Sequence, residues 1–296
     1  MEIKCLTTLD EAKRLWNELT PRESIYDLWD FRECFYRHDP HPLRFYTVYE
    51  DGQPVALMPL QDNKDWGGLE FFAEEPTEEN RIFFRPGYGA LVPRLFEAAA
   101  KDGDLKCYDL SGDLEFITAL PLEDYKYVLP LDGLKNFDDY LESRLSAKRR
   151  RSLRKELTVV EALKPSMEID NQADLEILFE LNVASFAGES YLRTEVERQP
   201  FRDLLKSGLV WRIISVVIAG QKQAVSLSIL YNDKWYYLLT GVNSRQYPAL
   251  GKYLNKINME AAIKAGAAYF DAGLGDCGWK DIWHFDKIPQ YEYPGD

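Results

Sequence analysis

The chain repeats itself. When residue n is laid over residue n + 163, the capping box Thr8-Leu9-Asp10-Glu11 meets Asn171, an equally good N-cap. Apolar Ala12, Leu15 and Trp16 then overlie Leu175, Leu178 and Phe179, and Leu91, Ala98, Ala99 and Gly103 overlie Leu254, Ala261, Ala262 and Gly266. Gly112-Asp113 overlies Gly275-Asp276, and hairpin-like turns at Gly52-Gln53 and Gly220-Gln221 lie a few residues out of register. Each half therefore runs helix, β-hairpin, glycine-containing loop, helix, strand, Gly-Asp. The period is far too long for a solenoid, whose units repeat every few tens of residues. It predicts two similar α/β domains, residues 1–135 and 136–296, which suits a length of 296.

Charge narrows the partners. A formal net charge of −13 repels polyanions such as nucleic acid over most of the surface. One stretch departs from this: Arg144 to Lys155 holds seven cations and no acid. Phe137, Leu141, Leu145, Leu153, Leu157 and Val160 around it predict one helix from about Asn136 to Leu163. A one-signed helix on an acidic protein reads either as an anion cradle or as a basic element lying against acidic neighbours. The first residues lack a signal-peptide core, and no run is long enough to cross a bilayer. Cys5, Cys34, Cys107 and Cys277 are scattered without metal spacing, which suits a reducing cytoplasm. No metal is expected: His38-Asp39-Pro40-His41 reads as a proline-broken loop. No GxxxxGK[ST] loop is present, so ATP is disfavoured.

The second half is the more explicit. Leu209–Ile218, Ala224–Tyr231 and Lys234–Thr240, separated by Ala219-Gly220-Gln221 and Asn232-Asp233, predict an antiparallel meander. Gly241 to Gly251 then leads into a helix carrying Leu250, Leu254, Ile257, Ala261 and Ala265 on one face. A strand, loop and helix start in series offer free N–H groups to an anion, although most such loops are plain connections. After a strand from Ala267 that ends on Asp271 come Gly273, Gly275 and Gly278, with Asp276 among them, and then Trp279, Lys280 and Trp283. This turn reads as a binding site at a strand end, or as a hairpin whose tryptophans are core.

These residues carry a resemblance. Phe270-Asp271, Gly275-Asp276, Trp279-Lys280 and Trp283 are similar to the closing motif of the FemAB-like GNAT acyltransferases, with the same spacing. The basic helix, the meander, and Trp16, Trp29 and Met58-Pro59-Leu60 in the first half extend the likeness over nearly the whole chain. The resemblance implies two tandem GNAT-like domains, each a mixed, mostly antiparallel sheet flanked by helices, the first degenerate. It also implies transfer of an acyl group from acyl-CoA to an amine or hydroxyl of a small-molecule, sugar or peptide acceptor. Aminoacyl-tRNA is the donor of the peptidoglycan-bridge members, the one reading in which nucleic acid is a partner. The family's pyrophosphate loop, Arg/Gln-x-x-Gly-x-Gly/Ala, falls on Arg245 to Gly251. Arg245 fits, but Pro248 replaces the first glycine and brings no N–H, and Gly251 comes one residue late.

Direct attack of an amine on a thioester needs a held donor, a proton acceptor and support for the oxyanion. Asp276 is the first candidate acid–base group, with Glu189 as the alternative base and Lys280 as a charge to neutralise a ligand. Tyr191, Asp271, Trp279 and Trp283 are the candidate substrate contacts, in a cleft between the 273–280 turn and the 186–191 loop. Arg245, Gly251, Lys252 and Tyr253, with Arg149, Arg150 and Arg151 from the basic helix, are the candidate phosphate contacts. A binding module without turnover is the non-enzymatic alternative.

Overall fold

The computed structural model describes residues 1–74, 77–276 and 278–294. The chain divides into two compact units, Met1–Tyr125 with Pro289–Asp296, and Lys126–Ile288.

Unit 1 begins with β1 (Glu2–Leu6), α1 (Leu9–Leu19), α2 (Trp29–Tyr36), β2 (Leu43–Glu50), β3 (Gln53–Asp62), β4 (Leu69–Phe71) and β5 (Phe83–Phe84). It continues with α3 (Val92–Ala99), β6 (Cys107–Leu110), the short α4 (Glu115–Thr118) and the first half of β7 (Leu122–Pro130). Strands β1-β2-β3-β4 lie in that order, with β5 also on β3. The repeat's Trp16 is fully buried on α1, edge-on to Phe83 with ring centroids 4.8 Å apart, and its indole N–H donates to Asp27 O at 2.6 Å. Arg32 is buried too. Its guanidinium donates to Tyr26 O, Phe72 O, Thr77 Oγ1, Asn80 Oδ1 and Glu79 O, and burial lowers its pKa to about 10. One cation thus ties together Tyr26, Phe72, Thr77, Glu79 and Asn80.

Unit 2 contains the rest of β7, α5 (Phe137–Arg144), α6 (Ala147–Glu161), β8 (Ser166–Ile169), α7 (Asp174–Phe186) and α8 (Glu195–Leu204). There follow β9 (Val210–Ile218), β10 (Gln221–Tyr231), β11 (Lys234–Val242), α9 (Leu250–Lys264), β12 (Tyr269–Leu274) and β13 (Asp286–Tyr293), whose end returns to unit 1. The strand order β8-β9-β10-β11 reproduces β1-β2-β3-β4. Helices α7 and α9 take the places of α1 and α3, so the duplication holds element by element. Both meander turns form as expected: Ala219-Gly220 and Asn232-Asp233 all have positive φ, the geometry that matches strand twist in a two-residue hairpin. Gly241 lets α7 sit close on β11, because a Cβ there would lie 2.5 Å from Leu178 O.

Two expectations are corrected. The basic stripe is not one helix: the backbone opens at Leu145 (φ −110°, ψ 143°), and Ser146 caps a new helix, α6. Arg150 stabilises the break by donating to Leu145 O (2.8 Å) and Glu142 O (3.3 Å), carbonyls left over at the end of α5. Nor does the last strand of the repeat end on Asp271. β12 continues to Leu274 through an irregularity between Asp271 and Leu274, where Gly273 takes φ +72°.

The terminal strands are traded. β12 pairs antiparallel with Lys126–Pro130 of β7, the segment that opens unit 2, while its counterpart β6 pairs with Tyr291 and Tyr293 of β13, which come after all of unit 2 in sequence. The grouping of residues follows this exchange rather than a single cut after residue 135. Among the described residues, no helix is long and apolar enough to cross a membrane.

Candidate functional site

Unit 2 holds a parallel strand pair, β11 beside β12, and it separates early. Lys234, Trp235 and Tyr236 pair with Tyr269, Phe270 and Asp271, and there the ladder stops. Two devices drive the strands apart. On β11, Leu227 faces Leu239 and Ser228 faces Tyr237, so Leu238 is an extra residue that bends the strand towards β10. On β12, the irregularity after Asp271 brings Leu274 against Lys126 of β7. A buried ion pair holds that side: Lys126 Nζ lies 2.8 Å from Asp271 Oδ2, both side chains 4% exposed, and Asp271 Oδ1 accepts the Gly273 N–H at 3.0 Å. Lys126 also lies 5.6 Å from the Tyr236 ring centroid, at the root of the split.

Because the two strands are parallel, their C-terminal ends lie at the same end of the unit, and the loop after each must emerge there. The loop after β11 is folded on itself: Asn243 Oδ1 accepts the Gln246 N–H, and Tyr247 N–H donates to Asn243 O. Arg245 is exposed on it, and Gly251 and Lys252 open α9 with Lys252 paired to Glu156. Tyr253 faces inward and is 8% exposed, with burial raising its pKa. The 187–191 loop arrives from α7. Asn182 Nδ2 donates to Thr240 O (2.7 Å) and Ser185 Oγ to Val242 O (2.6 Å) on the freed part of β11, while Ser190 Oγ donates to Asn182 Oδ1 (2.8 Å). Glu189 is exposed beside this relay, and Tyr191 is half-buried against Phe201.

The 273–280 turn is built differently from what its charges suggest. Lys280 is buried, and its ammonium donates to Gly273 O (3.1 Å) and Leu274 O (2.5 Å), 5.3 Å from the Tyr127 ring. It ties down the end of β12 and does not face solvent. Exposed Asp276 accepts the N–H groups of Gly278 and Lys280 with Oδ1, each at 3.0 Å. Trp283 is 1% exposed and stacked on Tyr140, whose hydroxyl donates to Trp283 O at 2.7 Å. Trp283 and Asp271 are therefore core, and Trp279, half-buried against Trp283 and Phe285, is the ring of the motif with surface left to offer.

The basic helix joins the same end. Lys252 pairs with Glu156 and Lys256 with Glu161, so α6 and α9 run in the same direction. That offset starts α6 roughly two turns before α9. Arg149 and Arg151 are both exposed in the first turns of α6, the part that overhangs the start of α9. Arg150 is committed to the α5 carbonyls, and Arg154 and Arg144 pair with Asp138 and Asp286.

Residues 147–281 match the family model of the acetyltransferase (GNAT) domain. That match lies within unit 2 and covers just under half of the chain. The whole chain shares its fold with FemX (14% identity, TM-score 0.60, 99% of this chain and 96% of that one). It shares it also with the C-terminal domain of a putative lysylphosphatidylglycerol synthetase from Agrobacterium fabrum (12%, 0.60, 96% and 92%). L-PGS from Bacillus licheniformis is similar to the same degree (11%, 0.60, 99% and 94%). At such identities the likeness is one of fold, and the fold is FemAB-like GNAT. None of the curated proteins matches the sequence.

Lys126, Asn182, Ser185 and Leu238 shape the split between β11 and β12, and none was picked out in the sequence. A lysine in the strand-like run Tyr125-Lys126-Tyr127-Val128 was the available signal, since a central strand can bury a cation only with a partner.

Proposed function

We propose that unit 2 transfers an acyl group from acyl-CoA, with acetyl-CoA the simplest donor, to an amine or hydroxyl of a small-molecule, sugar or peptide acceptor. The observation that carries this reading is the convergence of the split, the start of α9 and the overhanging cations of α6 at one end of the unit. Arg149, Arg151 and Arg245 supply charge for the donor's phosphates, and the first N–H groups of α9, at Gly251 and Lys252, supply donors at the positive end of the helix dipole. Pro248 contributes none. The open edge of β11 offers the thioester arm a strand to lie along. The acceptor nitrogen attacks the thioester carbon, the C–S bond breaks, and the departing thiolate takes up a proton. Glu189 is the better placed of the two candidate carboxylates to accept the amine's proton, because Asp276 is occupied in holding its turn.

The test is binding before turnover. CoA and acetyl-CoA should raise the melting temperature of the full chain, since a ligand of the folded state stabilises it. Arg149→Glu with Arg151→Glu should remove that rise. Tight, salt-sensitive binding of charged tRNA without any response to CoA would overturn the donor assignment. CoA binding without transfer to any of a panel of amines and hydroxyls would leave a binding module.

A further inference from the structure

Unit 1 contains the counterpart of the split between β11 and β12, and its charge is reversed. Leu69 at the start of β4 forms a parallel bridge with Leu105, just before β6, as β11 does with β12. Beyond the bridge the two segments part, and a cavity of about 720 Å³ occupies the gap, within the size range of small-molecule sites. Among the described residues seven carboxylates line it, with Lys106 and His41 as the cationic or potentially cationic groups. Phe35, Tyr36, Trp66 and Tyr108 supply aromatic wall.

Neutral donors hold several of these carboxylates in place. Glu70 accepts from the side-chain amides of Gln61 and Asn63, Glu123 from the Asp109 N–H (2.7 Å), and Glu78 from the Tyr26 hydroxyl (3.0 Å). Such bonds orient a carboxylate without cancelling its charge. Glu74 is weakly held. Its Oε1 accepts a long bond from the Tyr108 N–H (3.3 Å), and among the described residues no donor reaches its Oε2. Burial, with Glu70 and Asp109 nearby, drives its pKa well above the ordinary carboxyl value, and the more distant Arg32 only partly opposes this. One ammonium already uses the wall: Lys106 Nζ lies 4.7 Å from the Trp66 ring centroid.

We infer that this cavity binds a small organic polyammonium ion, a linear polyamine in chemical class, with one ammonium at Glu74 and the chain lying along Trp66. Ammonium groups pair with carboxylates and rest on aromatic faces, so one ligand class uses both parts of the lining. A metal ion fits less well, because the carboxylates are spread out: among the described residues no group of three could hold one. Nucleotide and phosphate ligands are repelled. The inference is independent of acyl transfer in unit 2.

Spermidine is the probe. Calorimetry on the full chain at fixed ionic strength should give saturable binding and a higher melting temperature. Binding should release protons, because an ammonium favours ionised Glu74, and affinity should rise with pH as that group deprotonates. Glu74→Gln, a near-isostere, and Trp66→Ala should each weaken binding at least ten-fold, with far-UV circular dichroism unchanged. Should Trp66→Ala fail to fold, Glu74→Gln alone decides. Absence of saturable binding would overturn the assignment, as would equal affinity in the variants. So would equal stabilisation by magnesium chloride at matched ionic strength, which would reveal simple screening of an acidic chain.

Discussion

The two splits arise from the same succession of elements and have diverged in charge. In unit 2, between β11 and β12, the cations stand outside at the helix start and the carboxylate within is paired to Lys126. In unit 1, between β4 and β6, carboxylates line the gap and aromatic rings form its wall. The lesson is that a strand split is a generic receptacle. Its ligand class is decided by which ionic groups the surrounding loops bring to it and whether these are already neutralised.

The largest expected effect concerns what keeps the unit 2 split open. Lys126→Met leaves Asp271 buried without its partner and should cost about 3–5 kcal/mol in urea unfolding, and Lys126→Met with Asp271→Leu should recover much of it. A single-variant loss below about 1 kcal/mol would show that the pair is not what braces β12.

Next comes the proton acceptor. If Glu189 serves the attacking amine, Glu189→Gln should lower acyl transfer about 100-fold with CoA binding intact, and Asp276→Asn should lower it less. The reverse order in steady-state rates would move the base to the turn. The comparison between splits is sharpened by Arg149→Glu with Arg151→Glu, which should weaken CoA binding on the order of ten-fold and leave spermidine binding unchanged. Parallel losses for both ligands would mean that the two splits are not electrostatically separate.

The smallest effect is one of pH. Glu74 has a raised pKa in the folded chain, so its contribution to stability is fully present below the ordinary value of 4.5 and is lost as pH rises through the raised one. Glu74→Gln removes that loss. It should melt a few degrees higher than the parent at pH 8 and no higher at pH 4. A gain of equal size at both pH values would mean that ionisation of Glu74 is not involved.

Much of this was legible in the sequence because it depends on local signals. The helix start at Thr8, the Ala219-Gly220 and Asn232-Asp233 turns and the apolar spacing of α9 each specify their own backbone, and the repeat set their order. The Thr8 side chain bonds Glu11 and makes no cap, and Asn171 lies three residues before α7. The Gly273–Lys280 motif was legible as a motif but not as chemistry. Lys280 looks like an exposed cation until Gly273 O and Leu274 O are seen to receive it. Trp283 could be read as core or as contact until Tyr140 is found stacked on it. The split itself was beyond reach, since it depends on Leu238 being surplus in a register and on Lys126 meeting Asp271 across a long stretch of chain. The acidic cavity was missed for the same reason: its carboxylates are scattered from Asp39 to Glu123.

The traded strands set an order of events during synthesis. Unit 1 is translated first, yet β6 lacks its antiparallel neighbour until Tyr291 and Tyr293 have been made. Unit 2, by contrast, is translated starting from the β7 segment that its β12 will need. The half that emerges first from the ribosome is therefore the half that finishes last, with β6 an exposed edge in the interval. A release of the chain before residue 289 would leave that edge permanently open, and such a fragment should aggregate even though nearly all of unit 1 has been made.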